Sequence, residues 1–190
     1  MHIRPQSELE KTVTGQNYDP TDPELSQKRT FARQFISELN GIPYENWNVK
    51  RQLYTGFFGG VGKELLIELP FICDYGFNIF WGDHVFENFD CLFLDSAPIH
   101  IGDRVKIAPS VRLYTATHPL DPNKRNSGLE FAKPIIIEED VWLGGGVIVN
   151  PGVRIGARTV IGSGSVLTRD IPADVLAVGN PARVIKSIGK

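Results

Sequence analysis

His118 is the residue whose setting best suits acid–base chemistry. It lies in the segment Tyr114–Asp121, at the start of a stretch rich in proline and polar residues that runs on to Lys133. An imidazole gains and loses a proton near neutral pH, so a histidine at the mouth of a loop suits a general base. The alternative is an ordinary surface histidine without a chemical role.

Two pairs of potential metal ligands recur at one interval. His100 precedes His118 by 18 residues, and Cys73 precedes Cys91 by the same number. Stacking of the two histidines would suit a metal site, but no third ligand is evident. We therefore expect no metal, and we expect the cysteines to be buried as small apolar residues.

Trp142 and the basic residues near the C-terminus are candidates for ligand binding. Trp142 precedes the run Gly144–Gly146, which lacks the Lys-Ser/Thr of a P-loop and favours close approach of a ligand or a second chain. The tryptophan either packs between subunits or forms the wall of a substrate site. Arg169, Arg183 and Lys186 either hold phosphates or belong to a solvated terminus.

A six-residue repeat must position these side chains. Aliphatic residues recur every six positions from Ile137 to Leu167, with a second column four residues after each. The same register runs through Ile101–Leu113 and, more weakly, Leu69–Trp81. This period predicts very short strands and turns, three to a coil, in a triangular parallel β-helix. Residues 18 apart should then stack in ladders; the period does not determine handedness.

Interruptions of the repeat define the expected organisation. Residues 1–60 lack it and should form a helical cap, with one helix beginning at a capping box from Thr21 to Glu24 and another over about 46–57. Residues 61–190 should form the β-helix. Two extra residues lie within Leu94–Pro98, and residues 118–133 should protrude as a loop without disturbing the register.

Composition narrows the function. The net charge is −2 and the pI about 6.1, which argues against a general nucleic-acid binder. No apolar run approaches the roughly 20 residues that a membrane span needs. The polar N-terminus shows no signal peptide, and only two cysteines occur. We expect a cytoplasmic protein with no nucleic-acid or membrane partner.

Several motifs together resemble one enzyme family. They are Tyr114-Thr-Ala-Thr-His118-Pro, Arg125-Asn-Ser-Gly128, Val141-Trp-Leu-Gly-Gly145, Asn150-Pro-Gly-Val153 and Gly179-Asn-Pro-Ala-Arg183, with Cys73-Asp-Tyr-Gly76 and Asn88-Phe-Asp-Cys91 upstream. The chain is similar over nearly its whole length to the maltose and galactoside O-acetyltransferases, the sugar-acetylating branch of the hexapeptide-repeat acyltransferases. The resemblance implies a left-handed β-helix, a homotrimer with active sites between neighbours, and acetyl-CoA as donor.

The same resemblance implies roles for individual residues. His118 would be the base that takes a proton from the acceptor hydroxyl, and the backbone N–H of Gly145 would stabilise the oxyanion. The acceptor would meet Asp19, Asp74, Asn88, Asp95 and Trp142. The coenzyme would meet Gly145, Ser163, Thr168, Arg169 and Arg183.

Three residues depart from the family pattern near the expected acceptor end. Glu87 occupies a position of the repeat where a small or aliphatic residue is expected, so we expect it to turn outward or form an ion pair. Ser96 replaces a second acid, and Trp81 replaces an aliphatic residue.

Two other functions remain open at this stage. The first is an acetyltransferase of the same fold that acts on another small acceptor, such as an amine, a drug or a serine-like hydroxyl. The second is a non-catalytic or metal-binding β-helix.

Overall fold

A computed structural model describes residues 4–43 and 45–189. The helices are α1 (Glu8–Thr14), α2 (Pro23–Asn40), α3 (Trp47–Phe57) and α4 (Pro122–Asn126). The strands are β1 (Gly60–Val61), β2 (Leu66–Ile67), β3 (Phe71–Cys73), β4 (Ile79–Trp81), β5 (Phe86–Glu87), β6 (Cys91–Leu94), β7 (Ile99–Ile101), β8 (Lys106–Ile107), β9 (Arg112–Tyr114), β10 (Ala116–Thr117), β11 (Phe131–Ala132), β12 (Ile135–Ile137), β13 (Trp142–Leu143), β14 (Ile148–Val149), β15 (Arg154–Ile155), β16 (Val160–Ile161), β17 (Val166–Leu167), β18 (Val175–Val178) and β19 (Arg183–Ser187).

The strands form three faces of a prism. The first face carries β1, β4, β7, β12 and β15; the second carries β2, β5, β8, β13, β16, β18 and β19; the third carries β3, β6, β9, β14 and β17. Neighbouring strands are parallel except the final pair β18–β19. Both columns of the repeat point inward, as Ile137 and Val141 do at 1% exposure each. The predicted all-β solenoid of hexapeptide repeats is confirmed.

The length of a coil differs from the prediction near the cap. Ile137 pairs with Ile155, a step of 18 residues, but Ile79 pairs with Ile99, a step of 20. The two extra residues lie in the turn after the third face: the inward residues Ile67 and Cys73 are six positions apart, whereas Trp81 follows Cys73 by eight. The expectation that all residues 18 apart stack is therefore wrong in the first coils.

Helices close the open end of the prism. In α2 the N-cap is Asp22 rather than Thr21, because its carboxylate accepts the N–H groups of Glu24 and Leu25. The Asn40 side chain at the other end of α2 bonds to the backbone of Phe71 in the first coil. The predicted second helix is α3. It covers the interior with aromatic rings, because Phe58, directly after it, lies 5.5 Å from the Trp81 ring.

Glu87 contradicts the expectation for its side chain. Its register pairs it with Ile67 on one side and Ile107 on the other, so it points into the core and is fully buried. Among the described residues it has no cationic partner. Burial raises the pKa of the Glu87 carboxyl well above its usual value.

Over the described ranges, no helix has the length and hydropathy to cross a membrane.

Candidate active site

A cleft of about 750 Å³ lies along one corner of the prism, the one that follows the third face. Its walls come from the same corner of successive coils, because β3, β6, β9 and β14 all end there. The longer turns of the first two coils supply part of the wall, and the arm that carries His118 supplies the rest. The cleft is lined by Pro20, Thr21, Arg29, Asp74, Tyr75, Leu94, Ser96, Tyr114, Ala116, Thr117, His118, Glu130, Asn150 and Pro151.

Asp95 holds one wall of the cleft from behind. Its side chain is fully buried and accepts the N–H groups of Asp74 at 3.0 Å, Tyr75 at 2.8 Å and Gly76 at 2.7 Å. Burial raises the pKa of Asp95 to about 7, although these N–H groups favour its charged form. Asp95 therefore does not reach the acceptor, contrary to expectation; it fixes the turn that presents Asp74.

Asp74 presents a carboxylate to the cleft. The side chain is partly buried and accepts no hydrogen bond from a described residue. Burial raises its pKa, while Arg29 and Arg33 act in the opposite direction. The Arg29 guanidinium itself is held by the Tyr75 hydroxyl at 2.6 Å and the Pro20 carbonyl at 2.5 Å. The Asp74 oxygens are thus available to a ligand's hydroxyl groups.

The arm that carries His118 is a β-hairpin. Strands β10 and β11 pair Ala116 with Ala132 and Thr117 with Phe131, and this register places His118 opposite Glu130. The His118 Nε2 lies 3.8 Å from Glu130 Oε1. Slightly more than half of the His118 side chain is exposed, at 56%, so it is accessible from the cleft.

Glu130 is itself fixed by the cap. Tyr18, which is 1% exposed, donates its hydroxyl proton to Glu130 Oε2 at 2.8 Å. The backbones of the two residues also form an antiparallel bridge through N–H···O contacts of 2.9 and 3.1 Å. Burial raises the pKa of the Tyr18 hydroxyl, so this group stays protonated and donates. The hydrogen bond from the Tyr18 hydroxyl and the backbone bridge thus together hold the Glu130 carboxylate beside the imidazole.

Trp142 and Asn88 lie elsewhere on the chain. Both line a second depression of about 850 Å³ on the second face, with Phe86, Lys106 and Ala108. Trp142 is 53% exposed, and Phe89, which follows Asn88 in the sequence, is 51% exposed. One chain therefore does not bring Trp142 to His118.

Gly145 has a backbone donor to offer. The N–H of Gly144 bonds to Ile161 and that of Gly146 to Pro109, whereas the Gly145 N–H has no acceptor among the described residues. A Cβ on Gly144 would lie 2.6 Å from the Ser163 nitrogen, so glycine is required at that position for the coils to stack.

The other predicted contacts lie on the outside of the chain. Ser163, Thr168, Arg169 and Arg183 are exposed at the C-terminal end of the prism. Within residues 4–43 and 45–189, no carboxylate pairs with either arginine, whereas Arg104 and Arg158 form ion pairs with Asp140 and Asp174. Asp19 is exposed beside the cleft and accepts both the N–H and the hydroxyl of Thr21.

The two pairs of potential metal ligands do not meet. His100 lies on the first face, stacked on Phe80 with ring centroids 4.8 Å apart, while His118 lies on the arm. Cys91 pairs with Phe71 rather than with Cys73, and both cysteines are buried. The described part of the chain contains no group of three or more residues arranged to hold a metal ion.

Sequence reasoning missed Glu130, Tyr18 and Arg29. The signal for Glu130 was the hairpin register, which follows once the arm is read as two strands rather than as a loop. Tyr18 and Arg29 carry no local signal, because the cap brings them to the cleft from more than 80 residues away from His118 along the chain.

Two family models match the chain. Residues 11–62 match the maltose acetyltransferase hexapeptide capping motif, and residues 134–169 match the bacterial transferase hexapeptide repeats. The first covers the cap and the second the regular coils.

Known proteins share both sequence and fold with it. The galactoside O-acetyltransferase of Lactococcus lactis is 37% identical, over 97% of this chain and 90% of its own. A maltose O-acetyltransferase structure from Clostridium difficile is 44% identical with a TM-score of 0.96, over 97% and 99% of the two chains. A hexapeptide-repeat acetyltransferase of Vibrio cholerae, solved with acetyl-coenzyme A, is 40% identical with a TM-score of 0.90, over 97% and 100%.

Proposed function

The chain belongs to the maltose and galactoside O-acetyltransferase family, and from that premise we propose that it transfers the acetyl group of acetyl-CoA to a sugar hydroxyl, with His118 as the general base. As a member it is an acyltransferase enzyme with the family's left-handed β-helix. The acceptor, the base and the assembly are the parts that we propose here.

One observation carries the proposal: His118 opens onto the cleft with a fixed carboxylate behind it. Glu130 lies 3.8 Å from the imidazole and is held by the buried Tyr18. At that separation the carboxylate acts through its charge, which stabilises the imidazolium that forms when His118 accepts a proton.

The reaction is a direct acetyl transfer. His118 takes the proton of the acceptor hydroxyl while its oxygen attacks the carbonyl carbon of the thioester. The C–O bond forms, the C–S bond breaks, and the proton passes from the imidazolium to the sulfur of CoA. The Gly145 N–H, which lacks a protein acceptor, is suited to hold the oxygen that becomes negative in the transition state.

The character of the cleft supports a hydroxyl-rich acceptor. Asp74 offers unpaired carboxylate oxygens, and Asp19 lies beside Thr21 at the rim. Carboxylates accept hydrogen bonds from hydroxyl groups and fix their orientation. A volume of about 750 Å³ is in the range of small-molecule sites.

Donor binding rests on the exposed C-terminal residues. The two arginines without carboxylate partners, Arg169 and Arg183, suit the phosphates of CoA. Ser163 and Thr168 supply hydroxyl groups on the same end of the prism. The acetyl-CoA complex of the Vibrio cholerae relative supports this donor.

The site is completed by a second copy. Asn88 and Trp142 occupy a different face from His118, so one chain alone holds only part of the predicted set. We propose a homotrimer in which the second face of one chain closes the cleft of its neighbour. Side-by-side packing of three prisms gives a closed ring.

An acceptor panel tests the function. Release of CoA thiol is measured with acetyl-CoA and maltose, glucose, a galactoside, a primary amine or serine, and the acetylated product is identified by mass. We expect turnover with at least one sugar and weaker turnover with the amine and serine. Asp74→Asn should raise the sugar's KM, with Asp103→Asn, an exposed change outside the cleft, as the matched control. Faster turnover of the amine than of any sugar would contradict the proposed sugar acceptor and favour an amine in its place.

A further inference from the structure

Three polar side chains enter the core near the cap without hydrogen-bond partners. Trp81 on β4 and Glu87 on β5 are inward residues of the same coil, at 4% and 0% exposure. Tyr54 on α3 is 0% exposed. The Tyr54 hydroxyl, the Trp81 Nε1 and both Glu87 carboxyl oxygens are buried, and none has a partner among the described residues.

The three groups belong to one compartment. The Phe58 ring lies 5.7 Å from Tyr54 and 5.5 Å from Trp81. The Trp81 ring also lies 5.7 Å from Phe93, the inward residue of β6 in the same coil. After burial, the Glu87 carboxylate is the largest influence on the Tyr54 hydroxyl, whose pKa is raised. The Glu87 charge therefore acts on the Tyr54 hydroxyl.

Neighbouring groups do not satisfy these atoms. Cys91, four residues after Glu87, lies within reach of both the Glu87 carboxyl group and the Ala108 carbonyl, the latter at 3.5 Å. A thiol has one S–H and is a weak donor, so it serves only one of the two at a time. A buried polar group without a partner costs about 1–3 kcal/mol, so four such atoms in one compartment need an explanation.

The donor set identifies the ligand chemistry. An indole N–H only donates, a carboxylic acid both donates and accepts, and so does a phenol. A cation would be repelled by the N–H and the O–H hydrogens. A water molecule accepts from one group and donates to the others, and buried waters make about three such bonds.

We propose that the core holds a bound water that accepts a hydrogen bond from Trp81 Nε1 and donates one to the Glu87 carboxyl group, with the Tyr54 hydroxyl as a third partner. This internal site lies outside the acetyl-transfer cleft. It explains together the two interior departures from the family pattern, because the tryptophan and the glutamate each need the water that the other helps to hold.

Crystal structures of the full chain, unchanged and as Glu87→Gln and Glu87→Met, test the site. We expect one water within about 2.7–3.2 Å of Trp81 Nε1 and a Glu87 oxygen. Glu87→Gln should retain it, since the amide keeps an acceptor oxygen, and Glu87→Met should lose it.

Three results would overturn the proposal. They are a Glu87 carboxyl bonded directly to Trp81, a metal-like density with short contacts to the carboxylate, and an interior without density between the groups. If Glu87→Met does not fold, the unchanged chain and Glu87→Gln still decide, because each must show the water.

Discussion

The Glu130 carboxylate is the charged group beside His118, with Oε1 at 3.8 Å from the imidazole Nε2. Its carboxylate is fixed by the Tyr18 hydroxyl at 2.8 Å, so its position does not depend on the substrate. We regard it as a positioning residue, since it does not touch the reacting atoms in the proposed reaction.

Replacing Glu130 by Gln should lower kcat about 10–100-fold while leaving the KM for acetyl-CoA nearly unchanged, because the neutral amide no longer stabilises the imidazolium. Each factor of ten corresponds to about 1.4 kcal/mol of transition-state stabilisation. Steady-state kinetics measure the two constants separately. Tyr18→Phe is the milder companion, since it removes one hydrogen bond but keeps the charge. An unchanged kcat in a folded Glu130→Gln enzyme would remove the carboxylate from the mechanism.

Glu87 should make stability depend on pH. Its pKa is raised in the folded chain above the ordinary value of 4.5, so the native state keeps a proton that the unfolded chain releases. The contribution of Glu87 to stability is therefore fully present below pH 4.5, the pKa of the unfolded chain. It is lost as the pH rises from there through the folded pKa, by up to about 1.4 kcal/mol per pH unit. Urea unfolding at several pH values measures the slope.

Glu87→Gln is the control for this slope. The amide does not titrate, so the variant should lose Glu87's share of the decline, while the contribution of Asp95, whose pKa is raised to about 7, remains in both proteins. Parallel curves for the two proteins between about pH 5 and 8 would contradict a protonated Glu87.

At the scale of elements, the turns of the first coils build the cleft. Each of these turns has two more residues than the same turn of a regular coil. The extra residues lie outside the strand ladders, so strand pairing does not fix them. The turn Asp74–Gly76 is fixed from within by Asp95, whose carboxylate takes three backbone N–H groups. This wall of the cleft therefore depends on a residue that does not itself line the cleft.

Asp95→Ala should destabilise the chain by about 3 kcal/mol or more, since buried N–H groups left unpaired cost about 1–3 kcal/mol each. It should also raise the acceptor KM more than the KM for acetyl-CoA. Chemical unfolding and kinetics measure the two effects. Glu38→Ala, at an exposed position on α2, should change stability by only about 0.5 kcal/mol, since this side chain makes no hydrogen bond or ion pair with a described residue. Equal effects of the two changes would exclude a special role for Asp95.

The elements followed from the sequence where one physical rule acts alone. Each short strand of a stacked coil needs an aliphatic residue that points into the core. The six-residue repeat therefore predicted the three faces and their inward columns. The turns did not follow, because corner residues are free to vary in number. The shift from Thr21 to Asp22 as the cap of α2 has a similar cause, since both side chains can accept N–H groups. Glu130 and the buried Glu87 depend on pairing that only the folded chain displays.

At the scale of the whole molecule, one chain carries the predicted site residues on two separate surfaces. His118 and Asp74 line one cleft, and Trp142 and Asn88 line another. The exposed Trp142 and Phe89 are expected to be covered in the assembly. Light scattering should give three times the chain mass of 21.1 kDa.

Mixed assemblies test whether sites are shared. His118→Ala and Trp142→Ala chains are each expected to be weakly active alone. In trimers formed by refolding or coexpressing both, about one quarter of the interfaces should pair an intact His118 with an intact Trp142. Activity should then rise well above that of either variant. No recovery in verified mixed trimers would place both residues in the same chain's site.

Acetyl transfer through His118 is tested most directly by the rate of the folded His118→Ala assembly with acetyl-CoA and the best sugar of the panel. Loss of a general base costs about 10²–10⁴ in rate, so kcat should fall by that factor. The affinity for CoA, measured by calorimetry on the same sample, should change little because His118 acts only on the acceptor's proton. Sugar acetylation at nearly the unmodified rate would show that another group activates the hydroxyl and would contradict the proposed mechanism.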